Sequence, residues 1–185
     1  MERNRYDLSG TYGIGYDAKG EEFYFDLEDY NKIKNYTWNV SHKKSNNKPY
    51  VVSTENGKNV YMHRLILNME KYNYKNPVDH INNNSIDNRK YNLRKATPTQ
   101  NNFNIKIKRN NSSGVIGVSY DKSKKRWVAE ININRNKLRK TFIEKEDAIK
   151  YRLKLEYKYC KEFSPQKHLF GKYRIGGGSV DTIAT

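Results

Sequence analysis

Cysteine, proline and long apolar runs are all scarce in this chain, and each scarcity removes a class of explanation. The single cysteine, Cys160, has no partner for an internal disulfide, and no Cys-x-x-Cys pair is present for structural zinc. Any bound metal must therefore rest on oxygen and nitrogen ligands. No stretch approaches the ~20 consecutive apolar residues of a bilayer span, and the first residues are polar rather than signal-like. A soluble cytoplasmic protein with no membrane partner is the expectation. Acids are also in the minority, with 36 Lys and Arg against 20 Asp and Glu and a net charge of +16. An excess of that size points to nucleic acid as the partner. Only 35% of the 185 residues are apolar, which favours small modules with thin cores over one large domain. Asn, Lys, Tyr and Ile, all abundant here, have AT-rich codons, a bland explanation for their numbers, so positions rather than counts are informative.

Residues 1–20 show no sustained periodicity and receive no assignment. From Glu22 the pattern sharpens: Phe23 to Phe25 reads as a strand, Asp26 to Ile33 as a short acidic helical turn, and Tyr36 to Val40 as a second strand. Lys43 to Lys48 reads as a polar loop. Tyr50 to Thr54 and Asn59 to Met62 flank Asn56-Gly57, a hairpin signal because both residues tolerate positive φ. A short helix is expected from His63 to Met69. Strands are expected at Val78 to Ile81 and Leu93 to Ala96, joined by a loop whose first four residues, 82–85, form a turn. Thr97-Pro98-Thr99-Gln100 then supplies a capping box with Pro at the first helical position, placing Asn101 in the opening turns of a helix.

Past Asn110 to Gly114, a linker by composition, strand-like runs fall at 115–120, 126–133 and 137–142. In the middle run Trp127, Ala129, Ile131 and Ile133 share one face, while Arg126, Val128, Glu130 and Asn132 share the other. A helix from Glu144, acidic in its first turn, carries an apolar stripe of Ala148, Tyr151, Leu155 and Tyr159. Past Pro165 the pattern is irregular, and Gly176 to Ser179 reads as a flexible end.

The chemistry concentrates in Val78-Asp79-His80-Ile81, with Asn92 twelve residues after His80 and Asn101 nine further on. Phosphodiester hydrolysis needs an activated water and stabilisation of the charge growing on the leaving oxygen. Asp79 offers an anionic oxygen and Asn101 a neutral carbonyl oxygen to a hard divalent cation. Neighbouring strand residues face opposite ways, so His80 can address the water while Asp79 holds the metal. An imidazole of ordinary basicity, pKa ~6.5, suits a general base at neutral pH. Asn92 is read as structural, its amide tying the loop to the strand that presents His80.

His80, Asn92 and Asn101 resemble the HNH motif of ββα-metal nucleases in the variant ending in Asn. The wider string from Asp79 through Asn84, Asp87-Asn88-Arg89, Asn92-Leu93-Arg94, Ala96-Thr97 and Gln100-Asn101-Asn102 is similar to phage-type HNH homing endonucleases. The likeness extends upstream through Asp26 to Asp29, Trp38 and Met62-His63-Arg64-Leu65-Ile66, covering roughly 22–104. It implies double-stranded DNA as substrate, often nicked in one strand, in a bacterial host cytoplasm. It also implies one divalent ion, magnesium or manganese, on Asp79 and Asn101, with His80 as base and Asn92 as the central orienting residue. Asn102 is the alternative ligand if the helix register differs by one. His63 stays outside the catalytic set, as a packing or hydrogen-bonding residue. Arg64 and Arg94 are expected to serve DNA or the fold.

Residues 112–163 resemble the ethylene-response-factor (apetala-two, integrase-like) DNA-binding domain, through Ser113-Gly114, Gly117-Val118, Trp127 to Ile131, Thr141-Phe142 and Glu146-Asp147-Ala148 through Tyr151. That resemblance implies a sheet that enters the major groove and offers Arg126, Glu130, Asn132, Lys137 and Arg139 to DNA. Ile116, Ser119, Leu138 and Lys140 depart from the residues usual in plant members, so no recognition sequence carries over.

The expected fold is α+β: a small β-rich segment leading into a ββα-metal HNH module, then a three-stranded antiparallel sheet packed on one helix. The expected boundaries are 22–107 for the nuclease domain with its core at 77–104, 108–114 for the linker, 115–163 for the sheet domain and 164–185 for the tail. One catalytic set fits a monomer. The alternative function is a non-catalytic DNA-binding regulator that retains the HNH scaffold.

Overall fold

The computed structural model describes residues 4–42, 48–69 and 74–176. The chain is α+β, built from short strands in small antiparallel sheets with few helices, and it divides into two compact units, 1–101 and 102–185. Among the described residues no helix is long and apolar enough to cross a membrane.

The first unit begins with β1 (Arg5–Asp7), β2 (Gly13–Tyr16) and β3 (Glu22–Phe25), adjacent in that order. Two of these strands occupy the stretch left unassigned from sequence. The rings of Phe25 and Phe23 lie so close over Gly13 and Gly15 that added Cβ atoms would meet ring carbons at 2.3 and 2.2 Å. Glycine is required there for packing, yet hydropathy patterns see no signal in it. A 3₁₀ turn (Leu27–Asp29) and α1 (Tyr30–Ile33) follow.

The strand expected from Tyr36 starts only at Asn39, as β4 (Asn39–His42). Trp38 is fully buried before it, its indole N–H donating to the Ile33 carbonyl at 2.9 Å and its backbone N–H to Asn4 Oδ1 at 2.6 Å. These side-chain ties replace the first strand pairings. β5 (Pro49–Glu55) and β6 (Lys58–Tyr61) turn at Asn56 and Gly57, with φ of 48° and 71°. α2 (Met62–Ile66) follows at once, and Asn68, at φ 51°, keeps it shorter than the helix expected to reach Met69. Phe23, Phe25, Ile33, Trp38, Met62 and Leu93 are central to the core of this unit. Residues 43–47, most of the expected polar loop, lie outside the described residues.

β7 (Val78–His80) and β8 (Leu93–Lys95) form a two-stranded antiparallel ribbon, and α3 (Pro98–Phe103) comes next. Its start shows the reciprocal bonds of a capping box: Thr97 N–H donates to Gln100 Oε1 at 2.8 Å, and Gln100 N–H to Thr97 Oγ1 at 3.3 Å.

The second unit pairs β9 (Val118–Asp121), β10 (Arg126–Ile133) and β11 (Asn136–Phe142), with β10 central, and packs them on α4 (Lys145–Cys160). β9 starts later than the expected Val115 because Gly117 turns the chain at φ 76°. A Cβ there would stand 2.4 Å from both Arg152 Nε and the Glu130 carbonyl. In the stretch 108–114, Ser113 is buried and its hydroxyl donates to the Val118 carbonyl at 2.8 Å.

The stripe expected on α4 is corrected. Ala148 and Leu155 are buried, but Tyr151 is half-buried and Tyr159 exposed, and the buried set instead includes Ile149, Arg152, Leu153, Glu156 and Cys160. An ion pair hides two charged residues in the core, a pattern opposite to what hydropathy periodicity scores. The chain past Pro165 is less irregular than expected. Lys167–Leu169 forms a 3₁₀ turn, and Phe170 is buried with Ala148, Ile149 and Leu153. Gly177 to Ser179 lie outside the described residues.

Candidate functional site

Antiparallel pairing sets Asp79 opposite Arg94 and His80 opposite Leu93. Directly paired residues share a face and successive ones alternate, so Asp79 and His80 leave β7 on opposite sides. Asp79, only 3% exposed, accepts from Arg94 Nε at 2.8 Å and Nη2 at 2.6 Å. Arg94 thereby supplies the counter-charge and two hydrogen bonds to a carboxylate removed from water.

The loop between the strands is held by its own side chains. Asn92 Oδ1 accepts from the Asn82 N–H at 2.9 Å, Asn92 Nδ2 donates to the Asp87 carbonyl at 2.8 Å, and the Ile81 N–H donates to the Asn92 carbonyl at 2.9 Å. One residue at the end of the loop thereby holds its start, at Ile81 and Asn82, and its middle, at Asp87. Asp87 accepts from Arg89 Nε and Nη2, both at 2.8 Å, and from Asn82 Nδ2 at 3.0 Å. Burial works against its charge, but Arg89, through its guanidinium and backbone N–H, and the Tyr91 hydroxyl hold its carboxyl below the usual range. The loop docks on β3 through Tyr24 N–H to Ile86 O at 2.9 Å and Asn88 N–H to Tyr24 O at 2.8 Å. Asn92→Ala should cost about 1–3 kcal/mol, since it strands the buried Asp87 carbonyl and also frees the more exposed Asn82 N–H. Urea unfolding of the two proteins measures it, and a loss under about 0.5 kcal/mol would show that the loop does not depend on the clamp.

His80 is 6% exposed and meets two rings, His63 at 5.2 Å between centroids and 81° between planes and Tyr50 at 6.3 Å, while Tyr61 lies 5.6 Å from His63. Burial pushes the His80 pKa down to about 4, against the opposing pull of the Asn88 side chain and the Asp79 and Asp87 carboxylates. The basicity expected for a solvated imidazole is therefore corrected: the ring is neutral well below its ordinary range. Burial also holds His63 well below that range, helped by His80 and Arg64.

The two depressed values set the sign of an acid effect. Both folded-state pKa values lie below the unfolded 6.5, so the stabilisation is complete above that pH and drains away as pH falls. Stability of the metal-free protein should drop by about 2–4 kcal/mol between about pH 7 and pH 5. Urea unfolding in chelator at both values reads it, and an unchanged midpoint would mean that both rings stay hydrated in solution.

Asn101 is half-buried in α3, its N–H bonded to the Thr97 carbonyl at 2.9 Å, and Asn102 is exposed. With Asp79, Asn101 presents the oxygen donors that a magnesium-class ion prefers, so the residues fit such an ion by donor type. Among the described residues the one group of three acids close enough to share a metal is Asp26, Glu28 and Asp29. Lys90 pairs with Glu28 and with Asp29, the latter at 3.0 Å, and Lys32 pairs with Asp29 at 3.3 Å. Lysines supply the counter-charge there.

Arg64 is buried and donates to the Asn76 carbonyl at 3.0 Å, a contact that serves the fold. In the second unit, Glu130 lies opposite Arg139 and Asn132 opposite Lys137, so these four and Arg126 share one sheet face. Lys137 and Glu130 pair there at 2.8 Å. The other face carries Trp127 and Ala129 into the core with α4. Sequence reasoning did not bring Tyr50, His63 and Asn88 to the surroundings of His80. The Met62-His63-Arg64-Leu65 motif was the available signal, but ring adjacency is decided by packing between β5, α2 and β7.

No family model matches the chain, and no solved structure matches it. Among curated proteins, protein 3.8 of Escherichia phage T7 is 38% identical over 50 residues, a match covering 27% of this chain and 41% of that protein. The chain thus spans about two-fifths of the length of the relative it matches.

Proposed function

We propose that this chain is a metal-dependent endonuclease of the HNH type. In this reading its β7–β8–α3 segment is the ββα catalytic module, acting on double-stranded DNA, and its C-terminal unit is a DNA-binding sheet domain of the ethylene-response-factor type. The observation that supports the reading is a strand, a clamped loop, a second strand and a capped helix along which Asp79, His80, Asn92 and Asn101 follow in that order. The partial likeness to a phage protein and the net charge of +16 agree with it.

Asp79 and Asn101 would hold one magnesium-class ion, which when bound supplies electrostatic stabilisation to the phosphoryl oxygens and the leaving oxygen. His80 accepts the proton of the attacking water at an imidazole nitrogen. Burial lowers its pKa to about 4, so the ring is neutral at pH 7 but a weaker base than a solvated imidazole. Asn92 keeps β7 and the loop in one geometry, and Arg94 balances the charge of Asp79 when the ion is absent. The sheet face with Arg126, Glu130, Asn132, Lys137 and Arg139 binds the duplex. Mobile-element homing is the setting proposed.

A second reading, a DNA-binding protein that retains the scaffold without cutting, is favoured by the burial of Asp79 and His80 and by the Arg94 ion pair. Incubation of supercoiled plasmid carrying the protein's own genomic neighbourhood, with magnesium or manganese or with chelator, separates the two. Metal-dependent relaxed or linear product supports the endonuclease and tells one-strand from two-strand cleavage. Salt-sensitive binding with no cleavage in either metal overturns it in favour of the second reading.

A further inference from the structure

We propose that His63 is a positioning residue of the reaction centre, acting through His80. The inference rests on the endonuclease reading for its functional meaning, but the coupling between the two rings is a property of the fold.

His63 lies in the first turn of α2 and is 6% exposed. Its imidazole stands at 81° to that of His80 with the centroids 5.2 Å apart, one ring edge-on to the other. Tyr50 closes the group, 5.7 Å from His63 and 6.3 Å from His80, and Tyr61 backs His63 at 5.6 Å. In close-packed surroundings a ring held edge to face cannot turn about its Cβ–Cγ bond without displacing its neighbour. The orientation of His80, and so the direction of the nitrogen that meets water, is then set by His63.

Packing alone does not explain a histidine at this position. Its Nδ1 is buried with no hydrogen-bond partner among the described residues, a condition that costs free energy and that a phenylalanine or leucine wall would avoid. A buried imidazole that bears this cost beside the ring proposed as the base is more economically read as part of the site than as filler. A remote structural role would also not require the ring to contact His80.

The test compares wild type with His63→Phe, which keeps an aromatic wall and removes both nitrogens, and with His63→Gln, which keeps a polar group and removes the ring. Two readouts are taken at neutral pH. One is the single-turnover rate of plasmid cleavage with magnesium, alongside DNA affinity. The other is the imidazole ¹⁵N–¹H long-range correlation spectrum of His80, which reports its tautomer and needs no cleavage.

His63→Phe should slow cleavage by about 10–100-fold with DNA affinity unchanged, and should change the tautomer balance of His80 from that of the wild type. Cleavage and the His80 spectrum both unchanged in His63→Phe and His63→Gln would overturn the proposal. An altered His80 spectrum in a chain whose wild type does not cut would uphold the coupling and reject the endonuclease reading instead. If His63→Phe fails to fold, His63→Gln alone decides by the same two readouts.

Discussion

Replacing His80 with alanine should lower metal-dependent cleavage of duplex DNA by a factor of about 10²–10⁴ while changing DNA affinity by less than about twofold. The size follows from the role: a positioned base contributes about that much when it takes a proton in the transition state. The separation from binding follows from burial. At 6% exposure the ring has little surface to give to the phosphate backbone in the absence of metal, so its loss should leave the electrostatic part of binding intact. His80→Ala also removes a buried ring beside His63 and Tyr50, so its unfolding midpoint must be measured in parallel. Cleavage within about threefold of wild type by a folded His80→Ala protein would place the base elsewhere. Asp79→Asn is the companion: it keeps the shape, removes the anionic oxygen and should raise the metal concentration needed for half-maximal cleavage.

The second large effect is on stability. Glu156 is fully buried, and its carboxylate accepts four hydrogen bonds: from Arg152 Nη1 at 2.7 Å, from the backbone N–H and Nε2 of Gln166, both at 2.8 Å, and from the Ser164 hydroxyl. Gln166 in turn accepts from the Ile116 N–H at 2.6 Å. One side chain therefore ties α4, the segment after it and the loop that leads into β9. Glu156→Ala should cost about 3–5 kcal/mol, since it leaves the Arg152 charge buried without its partner. Glu156→Gln should cost less, because it keeps the volume and a hydrogen-bonding oxygen. Urea unfolding followed by circular dichroism distinguishes the two. A loss of under about 1 kcal/mol for Glu156→Ala would show that Arg152 finds solvent instead.

The sequence by itself determined the punctuation of this protein. The Asn56-Gly57 turn, the Thr97/Gln100 cap with Pro98, and the two-residue alternation of β10 were legible because turns, caps and strand faces are local. The residues of the candidate site were legible for a similar reason. Asp79 and His80 are chain neighbours, and their divergence follows from the strand period alone.

Tertiary structure alone decided three things. It made strands of residues 5–7 and 13–16, because Gly13 and Gly15 are chosen to fit under Phe25 and Phe23 and carry no hydropathy of their own. It placed Arg152 and Glu156 inside, because a charge can be buried once its partner and further donors come from distant parts of the chain. And it surrounded His80 with His63 and Tyr50, lowering the basicity that the isolated side chain would have. In each case the controlling free energy belongs to desolvation or close packing between segments far apart in sequence. No local pattern encodes such a term, and it exists only once the chain has closed on itself.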